Sequence, residues 1–317
     1  MRKIGTVPIF CLLASCNAAY AQDEVVVTAL RNPVDKSYRK MIAGMDRFEK
    51  RRELAPAATL RFKLLPRHRD TDMRNVGLEI VGDSFALPVK VAPDHTFTLQ
   101  RRPSALKENA SVRPDRKAGT MTWRAEVRTP GLPPDTRRLG DLRLECEVGM
   151  QAGLISNPRP LFEWVGKLLG EGPEYCDRVD PRYLFFAERP LFSVTLVSGE
   201  RAEVLPIDWL YGGASRDPRW KDDLPYCDCE VLVERTYLLP LGDASWPNDT
   251  LVEFEYMDSD GSAVGESPKA EVEAALGEAV VIDFDSGYEV RVYRDKKPSE
   301  RVFLFDPSGV VIKSRIR

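Results

Sequence analysis

A mainly β, α+β fold is what the sequence predicts, and three observations predict it. Apolar residues alternate in many short runs, 24 prolines and 21 glycines are spread along the 317 residues, and the C-terminal stretch shows one helical pattern followed by strands. Alternation with a period of two is what a strand with one buried face requires. Turn-forming residues at this density break the chain into short elements. A chain of this length is expected to form two or three domains. With 43% hydrophobic and 30% charged residues it has material for a real core. The formal net charge of -3 does not favour nucleic acid, which calls for a strongly basic surface, so no nucleic-acid partner is expected.

The chain opens with a leader pattern. Met1-Arg2-Lys3 supplies a positive start, and Ile4 to Ala14 is an apolar run shorter than the roughly 20 residues that span a bilayer. Ala19-Tyr20-Ala21 places small residues where a signal peptidase reads, which gives a signal peptide over 1–21 and a mature start at Gln22. Leu13-Ala14-Ser15-Cys16 offers a competing cleavage. It resembles a bacterial lipobox, in which Cys16 would be lipidated and, with Asn17 following, carried to the outer membrane. Either pattern predicts export, to the periplasm or to an anchor on the outer membrane.

Residues 22–56 form an N-terminal segment. Val25 to Ala29 reads as a flexible or edge-pairing N-terminal strand, and Val34, Tyr38, Met41, Ile42, Met45 and Phe48 then recur at helical steps. Asn32-Pro33 starts this helix and Pro56 stops it beyond Leu54. Its other face carries Lys36, Arg39, Lys40, Arg47, Lys50, Arg51 and Arg52. Such a helix either docks its apolar stripe on a core with a solvated basic back, or lies on an anionic membrane. Glu49 and Glu53 dilute the charge and favour docking.

From 57 to 150 the pattern is that of an Ig-like β-sandwich. Leu60-Phe62-Leu64, Val76-Leu78-Ile80, Phe85-Leu87-Val89-Val91 and Phe97-Leu99 alternate, with turns at Gly82-Asp83-Ser84 and Pro93-Asp94. Runs around Met121-Trp123, at Val127 and at Leu142-Leu144-Cys146-Val148 bring the expectation to about seven strands. A second, irregular, disulfide-linked β domain is expected over 151–258. It begins with a proline- and glycine-rich connector holding one helical stretch, Leu161 to Leu169. Strands follow at Phe192-Val194-Leu196, Val204-Leu205, Val231-Val233 and Val252-Phe254-Tyr256.

Of six cysteines, Cys11 and Cys16 fall in the leader region and Cys146, Cys176, Cys227 and Cys229 remain. Four cysteines in an exported chain read as two disulfides. A bond within Cys227-Asp228-Cys229 would close a strained ring, so each of these two is expected to pair with Cys146 or Cys176. A four-thiolate zinc site normally shows two Cys-x-x-Cys pairs, and neither is present.

The C-terminal stretch, 262–317, is a small helix-plus-antiparallel-sheet module. Ser267 caps a helix with Pro268 at its first position, Val272, Ala275 and Leu276 face inward, and Gly277 ends it. Strands follow at Val280 to Phe284, Tyr288 to Tyr293 and Val302 to Phe305. Asp306-Pro307-Ser308-Gly309 then turns into a last strand, Val310 to Ile316. The segments Glu271 to Glu278, Tyr288 to Tyr293 and Phe303 to Asp306 with Gly309-Val310 resemble the BamE (SmpA/OmlA) domain. The resemblance covers about 50 residues and lacks the family's upstream helix. It implies a helical part packed on an antiparallel sheet and an envelope setting, since the family comprises outer-membrane lipoproteins that support β-barrel assembly. It assigns no functional residue.

Candidate chemistry is sparse. The only histidines are His68 and His95, both in strand-or-turn contexts that suit surface residues, and no Gly-x-Ser-x-Gly elbow accompanies them. There is no Walker loop and no Gly-x-Gly-x-x-Gly, and no cofactor or metal is expected. Trp209, Tyr211, Trp220 and Tyr226, with Asp208, Arg216, Asp217 and Arg219 interleaved, make the strongest candidate contact surface, for a partner protein or a glycan. The same aromatics also suit the core and rim of a small β domain. The expectation is a non-enzymatic envelope scaffold or binding protein that contacts another envelope protein. Its rivals are a peptidoglycan- or polysaccharide-binding module and an unrecognised envelope enzyme working through paired carboxylates.

Overall fold

The computed structural model describes residues 35–117, 119–154, 172–178, 183–212, 232–258, 268–294 and 299–316. All of them belong to one contact unit, Asn32–Arg317. Their strands form five sheets, all antiparallel, with few helices between them. The leader, the Val25 to Ala29 run, the Leu161 to Leu169 stretch and the Ser267 cap lie outside the described residues.

The N-terminal half is built from β1 (Lys36–Ser37), α1 (Tyr38–Lys50), β2 (Thr59–Pro66), β3 (Leu78–Val81), β4 (Ala86–Pro88), β5 (Thr96–Phe97), α2 (Pro103–Lys107), β6 (Ser111–Pro114) and β7 (Met121–Arg128). Its seven strands lie in two sheets, β1-β6-β3-β4 and β5-β2-β7. Inward residues of both sheets, including Phe62, Leu78, Phe97, Val112 and Trp123, share one core. Phe97 meets Trp123 edge-on with ring centres 5.7 Å apart.

Helix α1 closes this core with the stripe its periodicity marks: Tyr38, Met41, Ile42 and Phe48 are buried. The hydroxyl of Ser37 caps its first turn by accepting from the Lys40 N–H. Burial of each large apolar side chain stabilises by about 1.5–3 kcal/mol, and the stripe is therefore docked on protein.

β8 (Thr136–Arg138) leads into α3 (Leu139–Gln151), and here the structure corrects the sequence reading. Leu142, Leu144, Cys146 and Val148 are on a helix, not a strand. Leu144 and Val148 pack into the N-terminal core, whereas Leu139, Leu142 and Cys146 pack into a second core on the opposite side. A helix buried on both faces has no polar stripe, so its sequence loses the helical signature. Its approach to α1 is close: a Cβ on Gly44 would lie 2.7 Å from Ala152 Cβ.

The second core is made by β9 (Phe185–Phe186), β10 (Leu191–Ser198), β11 (Arg201–Val204), β12 (Thr236–Tyr237) and β13 (Leu251–Tyr256), with sheet orders β11-β10-β13-β8 and β12-β9. It runs without a break into the C-terminal module. That module is α4 (Lys269–Leu276) and a meander of β14 (Val280–Asp283), β15 (Glu289–Arg294), β16 (Glu300–Phe305) and β17 (Val311–Ile316). One sheet face puts Val290, Val292, Val302 and Leu304 into the second core, and the other packs Tyr293, Phe305 and Val311 against Val272 of α4. Gly277 ends α4 at φ +80°, a conformation that suits glycine.

Candidate functional site

Two regions merit attention: a buried charged hub on α3, and a cleft where three distant segments converge.

The hub follows from the double burial of α3. Its acids at Asp141, Glu145 and Glu147 are buried with its apolar residues, and a buried carboxylate needs partners. Asp141 accepts from the Thr129 N–H at 2.8 Å and the Thr129 hydroxyl at 2.7 Å, which terminates β7. Glu145 Oε2 accepts from Arg137 at 2.6 Å and from the Val127 N–H at 3.1 Å. Burial alone would lower the Arg137 guanidinium, but Glu145 beside it raises it overall. Glu147 meets Arg47 at 2.7 Å and Arg51 at 3.1 Å. Burial raises the Glu147 carboxyl, against the pull of those arginines. Part of the supposedly solvated basic back of α1 is thus neutralising a buried acid. Arg143, from the same helix, donates to the carbonyls of Leu241, Asp243 and Trp246 and to Asn248 Oδ1, which fastens that loop to α3.

Cys146 of this hub is bonded to Cys176, with 6.0 Å between their Cα atoms. Both are buried in the second core. This corrects the expectation that each would pair with Cys227 or Cys229. Cys176 sits in the short 3-10 turn Pro173–Asp177 packed on α3, so the bond joins neighbouring elements. Cys227 and Cys229 lie outside the described residues, as do Cys16, Trp220 and Tyr226.

The two described aromatics of the candidate surface divide. Tyr211 is a core residue: it is 1% exposed, its hydroxyl donates to the Leu191 carbonyl at 2.7 Å, and its ring meets Phe284 edge-on at 4.9 Å. It offers no face to a glycan or a partner. Trp209 is half-buried and packs on the same core.

The cleft holds about 520 Å³. One wall is the loop after β2, with Arg67, His68 and Arg69; another is Val233 and Glu234; the third is the β14–β15 turn, Asp283 to Asp285. Glu234 is buried and ion-paired with Arg69. Arg67 donates to the Met121 carbonyl at 3.1 Å. His68, Asp283 and Asp285 are exposed. Arg67 and Arg69 thus share one wall with Asp70, and Asp283 and Asp285 stand on another. No cluster of three metal-ligating side chains occurs among the described residues. The other histidine, His95, is half-buried and bonded to the Met73 carbonyl at 3.0 Å. A cleft so lined is suited to holding a charged segment of another molecule. Nothing local in the sequence marks it, because its walls come from three far-separated stretches.

No family model, no curated protein and no solved structure matches this chain.

Proposed function

We propose that this chain is a non-enzymatic cell-envelope protein, periplasmic or held at the outer membrane through Cys16, that scaffolds or binds another envelope protein. The observation that carries this reading is the Cys146–Cys176 bond within the buried core, because such bonds persist in oxidising compartments. The leader ending at Ala21 agrees with it. The cleft of Arg67 to Arg69 and Asp283 to Asp285 supplies the contact surface, and the BamE-like look of the C-terminal module motivates a link to outer-membrane assembly or integrity. The test is a photo-crosslinking residue in place of His68 in cells producing the full chain. An adduct with a periplasmic or outer-membrane protein is expected. A chain that stays in the cytosol, or one that gives no adduct in the envelope, would contradict the reading.

A further inference from the structure

The four-stranded meander has two outer strands, and they are guarded very differently. A sheet edge presents unpaired N–H and C=O groups, and proteins protect such edges with lysine, arginine, proline or bulges. β17 is protected: Lys313 and Arg315 both reach Glu255, and its pairing with β16 is bulged. β4 ends in Pro88, and β11 carries Arg201 and Glu203. β14 carries no lysine, arginine, proline or bulge. It reads Val280-Val281-Ile282-Asp283, pairs with β15 in unbroken register, and pairs with no strand on its other side among the described residues. Val280 is 50% exposed, one of two large hydrophobic side chains so exposed among the described residues.

The register says which backbone groups face out. The Phe284 N–H donates to the Tyr288 carbonyl, and Ile282 pairs with Val290 and Val280 with Val292. Antiparallel ladders alternate bonded and non-bonded pairs, so Ile282 and Val280 turn their amides toward β15. Val281 and Asp283 turn theirs to the open edge. Three exposed carboxylates flank this edge, Glu278 before the strand, Asp283 at its end and Asp285 beyond, the last two sharing the cleft that Arg67 and Arg69 also line.

We propose that β14 is an acceptor edge for strand addition, and that its occupant is an extended, β-branched segment of a partner protein with lysine or arginine at its flanks. Main-chain bonds to Val281 and Asp283 supply affinity, and the three carboxylates select the cationic flanks. A second copy of this chain fits less well. Self-pairing would bring the same exposed carboxylates, Glu278, Asp283 and Asp285, from both copies to one shared edge, and like charges there repel. The inference rests on the binding reading above and names its partner chemistry; the crosslink at His68 tests that reading separately.

The experiment uses the purified full chain and an end-blocked fluorescent peptide, Lys-Thr-Val-Thr-Val-Lys, with Glu-Thr-Val-Thr-Val-Glu as comparison. Saturable binding of the first is expected, at least about tenfold tighter than the second. V281P removes an outward N–H and no β14–β15 bond, which an edge strand tolerates. It should weaken binding about tenfold or more while leaving the melting temperature within a few degrees. In case V281P unfolds, the paired variant E278K/D283K keeps the backbone intact and should reverse the peptide preference. The proposal is overturned by absence of saturable binding up to about 1 mM peptide, by equal binding of the two peptides, or by concentration-dependent dimers that V281P abolishes.

Discussion

Arg137 and Glu145 form an ion pair at 2.6 Å in which both side chains are more than nine-tenths buried. The pair joins the centre of β8 to the middle of α3, and Arg137 also donates to the Val127 carbonyl at 2.7 Å. Removing one partner of a buried pair leaves a desolvated charge and costs about 3–5 kcal/mol, whereas replacing both with apolar groups is often neutral. R137M should therefore destabilise by that amount, and R137M/E145M should recover most of it. Urea unfolding of the three proteins checks this. A double variant no better than R137M would mean that the hydrogen bonds to Val127, not the charge pair, dominate.

Where α1 crosses α3, the absence of a side chain at Gly44 lets the helices approach. A Cβ there would meet Ala152 Cβ at 2.7 Å and the Val148 carbonyl at 3.1 Å. Alanine gains about 1 kcal/mol of helix propensity over glycine, but overpacking costs about 1–3 kcal/mol. G44A should thus be neutral to about 2 kcal/mol less stable, and G44V worse. The swap G44A/A152G should be more stable than G44A alone; denaturant midpoints read the order.

The Cys146–Cys176 bond closes a segment of sequence separation 30. Loop-closure entropy for that length is about 3–4 kcal/mol at 25 °C. The double variant C146A/C176A should lose stability of that order in urea. An unchanged midpoint would show that the denatured chain is already held together there by other means.

Asp306 governs the last turn of the meander. Its Oδ1 accepts from the Ser308 hydroxyl at 2.6 Å, the Ser308 N–H at 2.9 Å and the Val310 N–H at 3.0 Å. The Ser308 hydroxyl first, then these amides, hold its carboxyl below the usual 3.8. A carboxyl depressed in the folded state contributes stability that is present above its unfolded value and is lost as pH falls through the folded one. Wild-type stability should therefore decline more steeply than that of D306N below about pH 4. Parallel acid-titration curves for the two would contradict this role.

The C-terminal module was legible because its contacts are local: each strand pairs with the next, and Gly277 and the Asp306 turn carry strong turn chemistry. The stripe of α1 was legible from the spacing of Tyr38, Met41 and Phe48. α3 was not. Leu142, Leu144, Cys146 and Val148 alternate with charged or small residues, which suggests a strand with a wet face, yet Glu145 and Glu147 are buried on a helix and met by arginines from other elements. A buried salt bridge has no local sequence signal. Tyr211 misled in the opposite sense, since an aromatic among polar residues looks exposed until the Leu191 carbonyl accepts its hydroxyl. The cleft was invisible for a third reason: its walls lie in loops that only the tertiary fold brings together.

Export to the envelope in an oxidised form leaves two readable marks, the mature N-terminus and the disulfide. The most direct test is the intact mass of the protein from fractionated cells, with and without reduction. A chain beginning at Gln22, or at lipidated Cys16, is expected in the periplasmic or outer-membrane fraction, gaining hydrogens on reduction. A chain still beginning at Met1, in the cytosol and unchanged in mass by reductant, would contradict it.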